Sequence, residues 1–269
     1  MTFYETLQEA LLDSWRHRNL AKMLAIRDTK AQYRGSLLGL FWAVFPPIAA
    51  AVGLAAAKGA GVLNLGITPI PYPAYVILSM SLWQIFTASL TRPISGLLAA
   101  RVLLTKVNFP REVIVISEVH KLLVLASIQA VLVAGFFVYF GIPVSATAIL
   151  VVVPIFMLVL LGVTISLLLA PVALLYGDIA NAMPMAIGAL FVVTPVVYAP
   201  PPHGGVFSFV VRLNPVTPLI EMSRELVYLP FPTHLPGFLL VTALTVPAAC
   251  LSLVLFRLAM PIVVERWSS

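Results

Sequence analysis

The chain has 269 residues, of which 61% are hydrophobic and only 10% charged, with a mean hydropathy of +1.05 and a formal net charge of +6. Soluble domains carry about a quarter charged residues, so the composition excludes a water-covered globular enzyme and points to a polytopic membrane protein forming one domain over 1–269. The single cysteine, Cys250, excludes an intrachain disulfide and a multi-cysteine metal site.

The first stretch, MTFYETLQEALLDSWRHRNL, places Glu5, Glu9 and Asp13 where a cleavable signal has its basic and apolar regions. Phe3, Leu7, Leu11 and Trp15 recur every fourth residue opposite those acids. This predicts an amphipathic helix within 1–34 that lies along the membrane surface, as an anchor or as a dock for a cytoplasmic partner. Arg27, Lys30 and Arg34 fall within about 60° of one another at a helical repeat. That basic stripe joins an apolar run from Leu37 with no linker between.

A helix needs about 20 apolar residues to cross the hydrocarbon core. Six stretches within 37–260 qualify: 37–57, 74–98, 114–140, 146–175, 183–199 and 237–260. Orientation follows from the basic residues. Twelve of the sixteen Lys and Arg lie before the first span, within 101–121 or at the end of the chain, whereas Lys58, Arg212 and Arg224 fall on the opposite side. Both ends of the chain are therefore expected in the cytoplasm. This distribution marks topology and anionic-lipid contacts rather than nucleic-acid binding.

Three further stretches are neither spans nor simple loops. RVLLTKVNFPRE at 101–112 mixes Arg101, Lys106, Arg111 and Glu112 with apolar Leu103, Leu104, Val107 and Phe109, the pattern of a short helix before Pro110 that plugs a partner's groove. Glu118, His120 and Lys121 open the third span, either as an interfacial anchor or as a proton or substrate relay. Asp178 is expected in a short cytoplasmic loop. Segment 200–236 is too apolar for a solvated loop and too interrupted for a span, and its pieces at 206–213 and 216–228 are expected to dip into the outer leaflet and return. Glu221, Arg224 and Glu225 share one helical face there, which reads as an exposed salt bridge more readily than as a substrate contact.

No GxxxxGK[ST] phosphate loop, nucleophile elbow, HExxH or histidine cluster occurs, so no metal or nucleotide site is expected in the chain itself.

Three motifs resemble the permease subunit of ABC-2 type polysaccharide exporters, the family that exports O-antigen, capsule and teichoic acid. RDTKAQYRGSLLGLFWAVFPP at 27–47 is similar to that family's basic-Tyr-Arg approach to span one, LLTKVNFPREVIVIS at 103–117 to its coupling helix, and TPVVYAPPP with RLNPVTPLIEMSRELV to its outer segment. The resemblance implies a homodimer in a bacterial inner membrane, driven by two cytoplasmic ATPase subunits that hold the ATP and Mg. It also implies an undecaprenyl-linked polysaccharide as substrate. The coupling contact then falls on Arg101, Lys106, Asn108, Phe109, Pro110, Arg111 and Glu112, and the lipid-pyrophosphate entrance on Arg27, Lys30 and Arg34. Phe41, Trp42, Trp83, Phe86, Phe136, Phe137 and Tyr139 are candidates to line the channel, and Asn214, Pro215, Glu221 and Arg224 to build the outer gate. Where the family often has an Arg-Asp pair, this chain has Gly177–Asp178. The competing readings are an ABC-2 exporter of drugs or small lipids, an ion-coupled carrier using Glu118, His120 and Lys121, and an integral-membrane transferase.

Overall fold

The computed structural model describes residues 3–34, 38–39, 41–62, 66–106, 110–200 and 205–268, and every regular element among them is helical. In chain order these are α1 (Phe3–Arg16), α2 (Arg18–Arg34), α3 (Phe41–Gly59), α4 (Tyr72–Ala99), α5 (Arg101–Lys106), α6 (Glu112–Tyr139), a 3-10 turn (Ala146–Val151) leading into α7 (Val152–Leu175), α8 (Gly177–Val193), α9 (Val206–Leu213), α10 (Val216–Tyr228) and α11 (Leu235–Ser268). Among the described residues, five helical stretches are long and apolar enough to cross a membrane: α3, α4, α6, the turn with α7, and α11. The apolar α8 is shorter, at 17 residues, so the expected sixth span rests on it alone.

The bundle is built around α4, which packs against α3, α6 and α7 and buries most of its length, while α7 also packs on α11. Helix α4 starts where Pro71 and Pro73 supply preset backbone angles and lack N–H groups that would go unpaired in a first turn. Two of its close contacts with its neighbours occur at glycines. A Cβ on Gly162 of α7 would stand 1.8 Å from Ser89 Oγ and 3.1 Å from the Phe86 carbonyl, and one on Gly96 would stand 2.5 Å from Glu118 Oε1. No side chain fits at either contact without movement of a partner.

Four expectations are corrected. The expected amphipathic helix over 3–34 is two helices meeting at His17, whose ring Nδ1 donates to the Asp13 carbonyl at 2.9 Å. The face of α1 that meets the protein carries Thr6, Ala10, Glu9 and Asp13, and leaves Phe3, Leu11 and Trp15 exposed. The stretch expected as a span at 183–199 is helical from Gly177 to Val193 instead. Thr194, which precedes Pro195, is extended at φ −101° and ψ 127°, because a proline clashes with a helical residue before it. Asp178 lies in the first turn of α8 rather than in a loop, with only Tyr176 separating α7 from α8. Finally, Glu221, Arg224 and Glu225 are buried, not exposed.

Candidate functional site

Among the described residues, polar clusters interrupt the apolar bundle at the basic end, midway and at the far end. At the basic end, Arg27, Lys30 and Arg34 border an open hollow of about 740 Å³ along α2, and all three are exposed. Arg27 pairs with Asp28 at 2.8 Å. Burial acts to raise the Asp28 carboxyl, but hydrogen bonds from Arg27 and Lys121 outweigh it and hold the group below its ordinary range. Lys121 Nζ reaches Glu118 Oε1 at 2.6 Å and Asp28 Oδ2 at 3.1 Å, and His120 Nδ1 donates to the Ile116 carbonyl at 2.8 Å. Lys121 therefore ties α2 to α6 through two carboxylates.

Beside it, Arg257 of α11 gathers three acids: Asp13 at 2.8 Å, Glu112 at 3.3 Å and Glu9 at 3.4 Å. Glu112, the first residue of α6, is buried by this contact, so it is held inward rather than on the rim of the 101–112 stretch. Pro110 and Arg111 are half-buried, Lys106 and Arg101 are exposed, and the Arg101 guanidinium stacks over the Trp267 ring at 5.1 Å. Asn108 and Phe109 lie outside the described residues.

Midway, Gln129 of α6 is buried and donates from Nε2 to the Ala43 carbonyl at 2.8 Å and to Gln84 Oε1. Its own Oε1 accepts from Ser81 Oγ at 2.8 Å. The aromatic residues divide. Phe41, Trp42 and Tyr139 are exposed and Phe136 is half-buried, whereas Phe86 and Phe137 are covered by the chain's own helices and Trp83 is buried with its ring edge-on to Phe191. The structure thus brings the first four to accessible positions and packs the other three into the core.

At the far end, Arg224 (3% exposed) donates to the Pro195 carbonyl at 2.8 Å, to Ser79 Oγ at 3.3 Å and to the Tyr75 hydroxyl, with Glu221 Oε1 at 3.9 Å. Tyr75 in turn donates to the Tyr198 carbonyl at 3.0 Å, and Tyr72 to the Val197 carbonyl at 2.8 Å. Asn214 Nδ2 donates to Thr194 Oγ1 at 2.7 Å, and its Oδ1 accepts from the Val216 N–H at 3.0 Å just past Pro215, which starts α10 much as a helix cap does. Residues 194–198 carry backbone groups freed by the end of α8, and side chains from α4 and α10 satisfy them. Glu221 and Glu225 (5% and 7% exposed) share one cation, His234, with Nε2 at 3.0 Å from Glu221 Oε2 and Nδ1 at 2.7 Å from Glu225 Oε1. Hydrogen bonds to Glu221 and then Glu225 raise His234 to about 10 against the effect of burial. Burial acts to raise Glu225, but hydrogen bonds from His234 and Thr233 lower it to about 2.

Reading the sequence alone missed Tyr75, Gln129, His234 and Arg257 as network members. A usable signal was present for two of them: Gln129 is a lone amide within an apolar span, and Tyr75 and Ser79 stand one helical turn apart in another.

Comparison with known proteins places this arrangement in a family. Residues 19–228 match the ABC-2 type transporter family. The chain is 28% identical over 221 residues, spanning 77% of its own length and 80% of the relative's, to the O-antigen export system permease protein RfbA of Klebsiella pneumoniae. It is likewise 28% identical over 220 residues, spanning 80% and 82%, to the protein of the same name from Myxococcus xanthus. A match of this extent over a helical, multi-span bundle is decisive, and the chain belongs to the ABC-2 type transporter family.

Proposed function

We propose that the chain is the membrane-spanning subunit of an ATP-driven exporter that moves a lipid-linked polysaccharide out of the cytoplasm across a bacterial inner membrane. The observation that supports this reading best is its similarity, along about four-fifths of its length, to permeases named for O-antigen export. Two copies form the conduit, each with both ends in the cytoplasm, where two separate subunits bind ATP and Mg and hydrolyse the nucleotide. Chain segment 101–112 is the coupling contact, with Phe109 as apolar anchor and Lys106, Asn108 and Arg111 around it. Leu104 and Glu112 are held by the bundle, so a push on this segment is carried into α6 and α11.

On this reading α1 lies in the membrane interface with Phe3, Leu11 and Trp15 toward lipid. The hollow at Arg27, Lys30 and Arg34 receives the pyrophosphate of an undecaprenyl-type carrier, since three cations on one open face attract a dianionic headgroup. Exposed Phe41, Trp42 and Tyr139 offer ring faces to sugar C–H groups along the channel. Helices α9 and α10, with Asn214 and Pro215 between them and the Glu221–Arg224 pair on α10, form the outer gate as re-entrant elements.

The test is a deletion strain complemented with variants. Loss of the chain should accumulate polymer in the cytoplasm. Phe109→Asp should release the ATPase without loss of membrane insertion, and Lys30→Glu with Arg34→Glu should abolish surface polymer with insertion and ATPase binding intact. Polymer at the surface of the deletion strain would sink the export reading.

A further inference from the structure

Trp267, near the C-terminal end of α11, makes two contacts that join three helices. Its indole Nε1 donates to the Leu174 carbonyl in the last turn of α7 at 3.2 Å. Its ring face carries the Arg101 guanidinium at 5.1 Å, inside the roughly 6 Å reach of a cation–π contact. Arg101 is the first residue of α5 and opens segment 101–112. One side chain of α11 therefore touches both that segment and the end of α7.

The Leu174 carbonyl needs such a donor. In an unbroken helix it would accept from the N–H four residues on. Here Tyr176 is extended at φ −126° and ψ 110°, α7 stops, and α8 starts at Gly177. The carbonyl is freed at a buried residue, where an unpaired acceptor is costly, and the indole supplies the missing hydrogen bond. A tryptophan that only anchors a span at the membrane surface keeps its N–H toward water and headgroups. This one turns it into the protein.

Helix α8 is built to respond. It has an extended residue at each end, Tyr176 and Thr194. Each end is tied to another element: Leu174 to Trp267, and Thr194 and Pro195 to Asn214 and Arg224. Of its 17 residues only Met183 is buried within the chain, so little packing along its length opposes a change of tilt. Hinges are element-terminal residues of this kind.

We infer that Trp267 is a positioning residue for export: it ties the α7–α8 hinge at Tyr176 to segment 101–112, so displacement of that segment resets the tilt of α8. The inference rests on the ATP-driven export reading and adds to it the residue and the helix that respond.

The test uses the full chain co-purified with its ATPase subunit in lipid nanodiscs. Cys250→Ala removes the native thiol, and Ala182→Cys places one on the exposed surface of α8. Labelling by N-ethylmaleimide is timed with and without ATP and Mg. The rate should change when ATP is added. Trp267→Phe keeps a ring for Arg101 but removes the donor, and should abolish that change while the ATPase still binds and hydrolyses. If Trp267→Phe does not fold, benzothienylalanine at position 267 keeps the full ring without the N–H and should act alike. A thiol at exposed Ser127 of α6 reports general loosening and should label at the same rate with or without the donor.

No ATP response in the Trp267 parent, a response that survives loss of the donor, or faster labelling at both positions overturns the inference. Surface polymer is scored separately in cells. Export by a chain whose α8 ignores ATP removes this inference alone, whereas a Trp267-dependent response with no polymer exported removes the polysaccharide reading alone. A chain that binds no ATPase removes both.

Discussion

Gln129 of α6 donates its side-chain amide to the Ala43 carbonyl of α3 at 2.8 Å, at the position where Pro47 withholds the backbone N–H. In an unbroken helix that carbonyl would accept from the residue four positions on, and in lipid an unpaired carbonyl costs several kcal/mol. The proline and the glutamine therefore belong to one device, in which a carbonyl left unpaired by proline in the first span is satisfied from the third.

This device predicts a coupled mutant cycle. Gln129→Leu should destabilise the detergent-solubilised protein by about 1–3 kcal/mol, because it orphans the carbonyl and also Ser81. Pro47→Ala restores the backbone donor, so the double variant should recover part of that loss. Chemical denaturation of the four proteins measures it, and strict additivity of the two substitutions would count against the pairing.

How far the fold could be read in advance depended on the kind of signal. Hydropathy located the spans, and the Asn214-Pro215 break separated α9 from α10 at the expected residues, since proline and a short amide are local punctuation. Hydropathy was silent on the end of α8, because Thr194–Val197 is as apolar as the helix before it and only the proline rule marks the stop. Helical spacing put Glu221, Arg224 and Glu225 on one face but did not say that this face points inward. The balance tips on partners remote in sequence: Tyr75 and Ser79 on α4 offer oxygens to Arg224. The same limit applies to the aromatic residues, whose positions along each span were legible but whose facing was not. Phe86 and Phe137 are covered because α4 lies at the centre of the bundle, which no local pattern announces.

The clamp on His234 predicts a pH window. The groups facing it are Glu221, Glu225 and Thr233, with Arg224 behind them, and it lies outside the spanning helices. His234 is raised from 6.5 to about 10, so its contribution is complete below pH 6.5 and lost as pH rises toward 10. Glu225 is lowered from 4.5 to about 2, so its contribution is complete above pH 4.5 and lost as pH falls toward 2. The clamp is at full strength from pH 4.5 to 6.5. The difference in Tm between wild type and His234→Gln should be greatest in that window and shrink on both sides; a difference that does not vary with pH would show that the clamp does not act on stability.

Helix contact at Gly162 predicts a steric effect. Gly162→Ala brings a methyl into Ser89 Oγ and within 3.1 Å of the Phe86 carbonyl, and backbone does not rotate away. A loss of about 1–3 kcal/mol is expected, with only partial rescue by Ser89→Gly. Gly96→Ala meets the flexible end of Glu118 instead, so it should cost less unless Lys121 holds that carboxylate firmly. Tm shifts in detergent order the two variants, and a Gly162→Ala protein as stable as wild type would mean that α4 and α7 have room to separate.

Arg257 carries the last prediction. It joins Glu9 and Asp13 of α1 to Glu112 at the start of α6, and Glu112 is the last residue of segment 101–112. A force applied to that segment therefore reaches α1 and α11 through one guanidinium. Arg257→Met leaves Glu112 buried without its cation, which costs more than an exposed pair because a buried charge cannot turn to water. The variant should lose about 1–3 kcal/mol and expose α1 to proteolysis. Glu112→Gln in the same chain removes the orphaned charge and should recover stability, while α1 stays loose because Glu9 and Asp13 still lack a partner. Limited proteolysis with mass spectrometry separates the two effects. If α1 is re-protected in the double variant, its docking depends on Thr6 and Ala10 packing rather than on the arginine.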